Sequence, residues 1–163
     1  MSFSPDSELG RLLATIPQRG RVQWIGLRPA RGVDMLEVDA VEALTEKGLR
    51  GDRYKSASGK RGITLIQEEH LPAIAALSGH ALVLPSLLRR NVVVSGIPLI
   101  ALKDHEFRIG EMVFQGTGPC EPCSMMEAAL GAGGYNAMRG HGGICARIVQ
   151  GGVLRIGDEI RVA

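Results

Sequence analysis

The residues best suited to chemistry lie between Gly116 and Gly143, in the run G-T-G-P-C-E-P-C-S-M-M-E-A-A-L-G-A-G-G-Y-N-A-M-R-G-H-G-G. Pro119 and Pro122 bracket the first two cysteines, and each proline fixes its own φ and restricts the residue before it. The sequence predicts a helix with Pro122 at its first position, running to about Leu130, with Gly131 as a left-handed stop. Cys123 then sits in the first turn, where free N–H groups favour a thiolate. Cys120 falls just outside, in the loop. Of the two, Cys123 is the expected reactive thiol.

Three readings of these cysteines stand side by side. Cys120, Cys123, His141 and Cys145 spell C-x2-C-x17-H-x3-C, the outline of a zinc knuckle. Cys120 and Cys123 also form a C-x-x-C pair, although no strand–helix–strand pattern of a thiol oxidoreductase surrounds them. The third reading is a single ligating thiolate, Cys123, at the rim of a pocket. Cys145 lies in the apolar run I-C-A-R-I-V and reads as a small packed hydrophobe.

Arginines form the second constellation. Arg28 ends a strand-like run, Arg50 and Arg53 flank Gly51-Asp52, Lys60 and Arg61 close the same loop, and Arg89 and Arg90 precede Asn91. Any one of them alone reads as a solvated surface charge. Gathered at one mouth of a barrel, they would make a receptor for phosphate or carboxylate. Asn91 and Thr64 are candidates to read a neutral polar ring. The glycine-rich stretch from Gly133 to Gly143 carries Tyr135, Asn136, Arg139 and His141, the composition of an adaptable ligand cover. His141 admits roles as pocket acid or base or as support behind a ligand. His70, His80 and His105 have no visible partners and read as surface.

The elements that must position these groups are short. Residues 4 to 16 predict an amphipathic packing helix, capped by Ser4 with Pro5 first, and Leu9, Leu12, Leu13 and Ile16 on one stripe. Strands are expected at Arg21–Arg28, Met35–Val41, Gly62–Gln67 and Asn91–Ser95. Glu106–Ile109 and Glu111–Gln115 make a hairpin about Gly110, and Cys145–Val149, Val153–Ile156 and Glu159–Val162 follow. Helical stretches are expected at Glu68–Leu77 and Leu84–Arg90. A polar loop with four glycines and six lysines or arginines covers residues 44–62. Many short strands with few short helices imply a mainly antiparallel, barrel-like β domain. The domain reading is a helical extension over residues 1–20 and a barrel over 21–163.

Composition excludes several function classes. A formal charge of +2, with only 4% aromatic residues, does not support nucleic-acid binding. No apolar run reaches the roughly 18 residues of a membrane span. The N-terminus M-S-F-S-P-D-S-E has neither a basic nor an apolar signal region, and three cysteines are too few and too odd for a disulfide scaffold. A cytoplasmic protein with reduced thiols is expected.

Taken together, G-L-R-G-D-R at 48–53, R-R-N-V-V-V-S-G at 89–96, F-R-I-G at 107–110, G-P-C-E-P-C at 118–123 and G-G-V-L-R-I-G-D at 151–158 resemble a stand-alone MOSC domain. The same module ends the molybdenum cofactor sulfurases. The resemblance spans about Val22 to Val162 and implies a closed or partly closed β-barrel that binds the pyranopterin molybdenum cofactor. It implies Cys123 as metal ligand, Arg89 and Asn91 as an Arg-x-Asn motif, Arg53 as a post-strand arginine and Arg28 as an early basic residue. It also implies reduction of small N-hydroxylated compounds with electrons from a partner reductase, or persulfide transfer from Cys123 after loading by a sulfur-donor protein. No G-x-G-x-x-G motif or iron–sulfur cysteine set suggests an internal electron source. Pyridoxal phosphate is not expected, since no lysine stands in a Schiff-base context. The remaining alternatives are a small zinc-binding interaction module and a non-catalytic carrier that binds the pterin without turnover.

Overall fold

The structure is a computed structural model that describes residues 3–54 and 58–163. The central part of the expected polar loop, Lys55 to Ala57, and the first two residues lie outside the described residues. Ten strands are present among the described residues: β1 (Gly20–Leu27), β2 (Leu36–Val38), β3 (Ala40–Ala43), β4 (Ile63–Gln67), β5 (Val92–Ser95), β6 (Glu106–Ile109), β7 (Met112–Pro119), β8 (Ile144–Gln150), β9 (Gly152–Arg155) and β10 (Glu159–Val162). Five short helices accompany them: α1 (Glu8–Ala14), α2 (His70–Ser78), α3 (Pro85–Leu88), α4 (Ser124–Leu130) and α5 (Gly134–Met138).

Seven strands close into a barrel in the order β1-β10-β6-β7-β8-β4-β5 and back to β1, and β2 extends the sheet beside β1. Every pairing is antiparallel except β4–β5, whose parallel register is reached by a crossover through α2 and α3. Closure leaves no free edge in the ring, which suits strands this short. The fold is therefore the mainly β barrel expected from the strand spacing.

Alternation along the strands sorts two apolar cores. Ile63, Leu65, Val92, Val94, Ile144, Ala146 and Ile148 point into the barrel and join Phe107, Phe114 and Leu102 there. Ile66 and Val93 point the other way, into a second core with Ile74, Leu88, Met126, Leu130 and Met138 from the helices. Strands β4 and β5 are thus buried on both faces, which is why I-T-L-I and V-V-V read as continuous apolar runs. The barrel interior is filled with side chains, so a ligand must bind outside it.

Several elements differ from the sequence reading. Met35–Val41 is not one strand: β2 pairs with β1, β3 pairs with β9 in a separate ribbon, and Asp39 between them accepts a bond from Ile156 N–H. Helix α1 is capped by Ser7, whose hydroxyl accepts from Gly10 N–H at 3.0 Å, and Ser4 belongs to the preceding turn. Nor does that helix pack: it buries no residue, and Leu12 is 64% exposed. Only Ile16, beyond its end, enters the barrel core. The stretch Gly133–Gly143 holds helix α5 instead of an open loop. Its first N–H groups, from Gly133 and Tyr135, are bonded by the Glu127 carboxylate at 2.7 Å each.

Strand β7 runs on past Gln115 to Pro119 because Gly116 lets the chain pass close to Leu102 and Lys103. Its N–H bonds His105 O at 2.9 Å, and a β-carbon there would collide with the Leu102 carbonyl. Backbone cannot give way as a flexible side chain can. Gly116→Ala is expected to cost about 2 kcal/mol as an overpacking strain, read as a lower urea midpoint with unchanged slope.

Candidate active site

The extended β7 delivers Pro119 and the cysteine segment to the outer wall of the barrel, where a cleft of about 790 Å³ opens. One side is formed by Thr117, Gly118, Glu121, Pro122, Cys123 and the start of α4, with Met125 and Met126 supplying apolar surface. Six cationic residues, Arg28, Arg53, Lys60, Arg61, Arg89 and Arg90, also line it, and Tyr54 adds an aromatic ring. Cys145 and Thr64, paired across β8 and β4, alternate with barrel-core residues and so face this outer side.

Cys123 is the N-cap of α4 with extended backbone (φ −130°, ψ 177°), because the helix starts at Ser124, two residues later than the predicted Pro122. Its side chain makes no capping bond and is exposed on the cleft. Gly131 does stop α4 with positive φ (93°), but its ψ of −179° lies outside the left-handed helical region.

These cations differ in how they are held. Arg28 forms a bidentate pair with Asp52, at 3.2 Å from Nε to Oδ1 and 2.9 Å from Nη2 to Oδ2. The Asp52 side chain is fully buried and that of Arg28 is 13% exposed. Burial alone would push the Asp52 carboxyl up, but the hydrogen bonds and charge of Arg28 hold it below its ordinary value. Arg89 occupies the left-handed region at φ 59°, the C-cap of α3, and is tied to Val33 O at 2.7 Å. Burial, then the nearby charges of Arg28 and Arg53, lower its guanidinium from the ordinary value. It stays protonated at neutral pH, so three like charges share this wall. A bound anion would relieve that repulsion.

Thr64 and Asn91, expected to meet a ligand, are 1% and 0% exposed. Asn91 Oδ1 accepts from Thr64 N–H and Oγ1–H at 3.1 Å each, and its amide donates to Gly26 O and Asp52 Oδ1 at 3.1 and 3.2 Å. Asn91 N–H in turn donates to Thr64 Oγ1 at 3.0 Å. Both side chains are satisfied by protein and do not line the cleft. They brace Asp52 and, through it, Arg28. Arg139 and His141 also stand away from the cleft. Arg139 closes α5 and is exposed, bonding Asn136 at 3.4 Å. The His141 ring packs edge-on against His70, centroids 5.2 Å apart, so His70 is not a partnerless surface residue. Burial, then His141, lowers the His70 pKa. His80 Nε2 likewise has a partner, Leu130 O at 2.7 Å.

Cys145 is buried, as expected of a packed residue, yet it also lines the cleft, and its thiol shares a hydrogen bond with that of Cys120. That shared hydrogen bond, then Arg90 and Arg61, lowers Cys120 to about 6 despite its burial. The same interaction, with burial, raises Cys145. The pair therefore gives up its first proton from Cys120. Among the described residues no three His, Cys, Asp or Glu side chains gather into a metal-holding group, so the zinc-knuckle spacing is not realised in space. Glu121, Tyr54, Thr117 and the two methionines are cleft residues that the sequence reading did not place in the site, whereas Lys60 and Arg61 belong to the cationic constellation it expected. For Glu121 the signal was its position inside G-P-C-E-P-C.

No helix among the described residues is long and apolar enough to cross a membrane. No curated protein has a matching sequence. Among solved structures, the barrel is similar to the YuaD protein from Bacillus subtilis, at TM-score 0.78 and 21% identity, covering 91% of this chain and 98% of that one. It is also similar to YiiM from Geobacillus stearothermophilus, at TM-score 0.69 and 16% identity over 88% of this chain and 75% of that one. YiiM from Escherichia coli gives TM-score 0.68 and 20% identity over 88% and 69%. At these identities the likeness concerns the fold alone. The MOSC domain model matches residues 45–161, most of the chain. The barrel closes through β1, which lies upstream of that match. With the fold and the matched span in agreement, the chain belongs to the MOSC domain family, which is associated with binding of the molybdenum cofactor.

Proposed function

We propose that the cleft binds the pyranopterin molybdenum cofactor, with Cys123 as protein ligand to the metal, and that the loaded protein reduces N-hydroxylated compounds. The observation that carries this reading is one exposed, uncommitted thiol sharing a cleft of about 790 Å³ with six cationic side chains. The donor set fits the group: a soft thiolate suits molybdenum, and arginines suit a phosphate. When bound, the cofactor supplies the two-electron chemistry that removes an oxygen from N–OH.

The chain's own residues have narrower tasks. Arg53, Arg61 and Arg89 hold the anionic end, and Arg28 contributes from a position fixed by Asp52. Glu121 replaces Thr64 and Asn91 as the group that accepts hydrogen bonds from ring N–H donors. Met125 and Met126 shield one side of the cleft from water. Electrons come from a partner reductase. A second reading, persulfide transfer, is supported by the exposure of Cys123, where a sulfur-donor protein can reach it.

The deciding experiment is elemental analysis of wild type and Cys123→Ser after incubation with molybdenum cofactor. Molybdenum near one atom per chain in wild type, lost in the variant, is the expected result. Retention by the variant would overturn the ligand assignment, and stoichiometric zinc without molybdenum would overturn the cofactor reading. A protein that carries a persulfide on Cys123 but binds no molybdenum would favour sulfur transfer.

A further inference from the structure

Two of the three thiols have no task in the proposed function, and they lie together. Cys120 and Cys145 are 3% and 6% exposed and share a thiol–thiol hydrogen bond. The backbone brings them into contact. Strands β7 and β8 are in register at Gly118 and Cys145, and Cys120 N–H donates to Gly143 O at 2.8 Å. Arg90, itself 6% exposed, donates from Nε to Gly142 O at 3.0 Å and from Nη2 to Cys120 O at 3.2 Å. One guanidinium therefore clamps the segments carrying both cysteines. Arg61, on the cleft wall, hydrogen-bonds both thiols. Cys145 lines the cleft, so a water-sized solute in the cleft reaches the Cys145 end of the pair.

We propose that Cys120 and Cys145 are an oxidisable dithiol, closed to a disulfide by small peroxides and reopened by thiols, and that its state sets the affinity of the cleft for anions. The Cys120 thiolate attacks one peroxide oxygen and the O–O bond breaks. The other oxygen leaves as hydroxide and becomes water with the Cys145 proton. The Cys145 thiolate then attacks the Cys120 sulfenyl sulfur, the S–O bond breaks, and the departing hydroxide takes a proton from solvent. Each sulfur has lost one electron, peroxide has gained two, and two waters result. Reduction by a dithiol returns two electrons and two protons. In the reduced state a Cys120 thiolate feels the charges of Arg90 and Arg61 and partly offsets them. In the oxidised state that negative charge is gone, and the cleft wall becomes more cationic.

The test uses the full chain with Cys123→Ser, which leaves only these two thiols. After hydrogen peroxide, the expected result is loss of both free thiols, an intact mass lower by two hydrogens and a Cys120–Cys145 cross-linked peptide in monomeric protein, all reversed by dithiothreitol. Persistent thiols, sulfinic acid or a disulfide between chains would overturn the dithiol. Calorimetry of the same protein with inorganic pyrophosphate tests the second half, which rests on the anion-binding reading of the cleft. Oxidation is expected to tighten binding by roughly threefold to tenfold, the weight of one unit charge near the wall, and a Cys145→Ala chain is expected to form no disulfide that dithiothreitol reopens. Equal affinity in both states overturns the control of the cleft. No binding in either state overturns that half together with the anion-binding reading, while the thiol assay judges the disulfide on its own.

Discussion

Asp52→Asn is expected to destabilise the protein by about 3–5 kcal/mol, the range found when one partner of a buried ion pair is removed. The Asp52 side chain is fully buried, and its two oxygens accept from Arg28 N–H, Arg28 Nε and Nη2, Asn91 Nδ2 and Tyr54 N–H. Asparagine keeps one oxygen but turns an NH2 toward donors, and it leaves the Arg28 charge uncompensated in a site only 13% exposed. The effect depends on pH with a definite sign. The Asp52 carboxyl is lowered in the folded protein, so its contribution is fully present above its unfolded value near 3.8 and is lost as pH falls through the folded value. Urea unfolding of both proteins should therefore show a large gap at neutral pH that narrows below about pH 4. A gap that stays constant into acid would show that the ion pair is not its source.

Arg90→Met is expected to cost about 3 kcal/mol, because three buried carbonyl groups lose a charged donor while the side-chain volume is kept. Those acceptors are Leu88 O, Cys120 O and Gly142 O, at 3.0, 3.2 and 3.0 Å. For a chain of this size the loss corresponds to a fall in melting temperature of about 6–12 °C. A second readout separates this role from mere packing. Arg90 is among the groups that lower the Cys120 thiol to about 6, so in the variant that thiol should titrate at higher pH by thiolate absorbance. A less stable protein with an unmoved thiol would mean that Arg90 braces the backbone and has no hold on the sulfur.

Fold class was open to sequence reading because its causes are local. Period-two alternation in E-F-R-I and E-I-R-V, apolar runs in I-T-L-I and V-V-V, and glycine turns between them leave few alternatives to a short-strand barrel. Where reading failed, a long-range pairing had intervened. Met35–Val41 looks like one strand until β1 and β9 each claim part of it. Leu9, Leu12 and Leu13 make a helical stripe, but nothing in a stripe says whether another element will cover it.

The site divides along the same line. By itself the sequence determined which residue types were present: a cysteine in a proline-bracketed turn, arginines at strand ends and an Asn after Arg89-Arg90. Tertiary structure alone decided their tasks. Arg28, Arg53 and Arg89 come to one wall because β1, the loop after β3 and the C-terminus of α3 meet outside a filled barrel. Thr64 and Asn91 bond each other and Asp52 instead of a ligand, since a polar group at a fully buried position must find its partners within the protein. The pairing of Cys120 with Cys145 arises from the β7–β8 register across a long separation in sequence, and such a register is set by the sum of pairings along both strands, not by the spacing of the cysteines themselves.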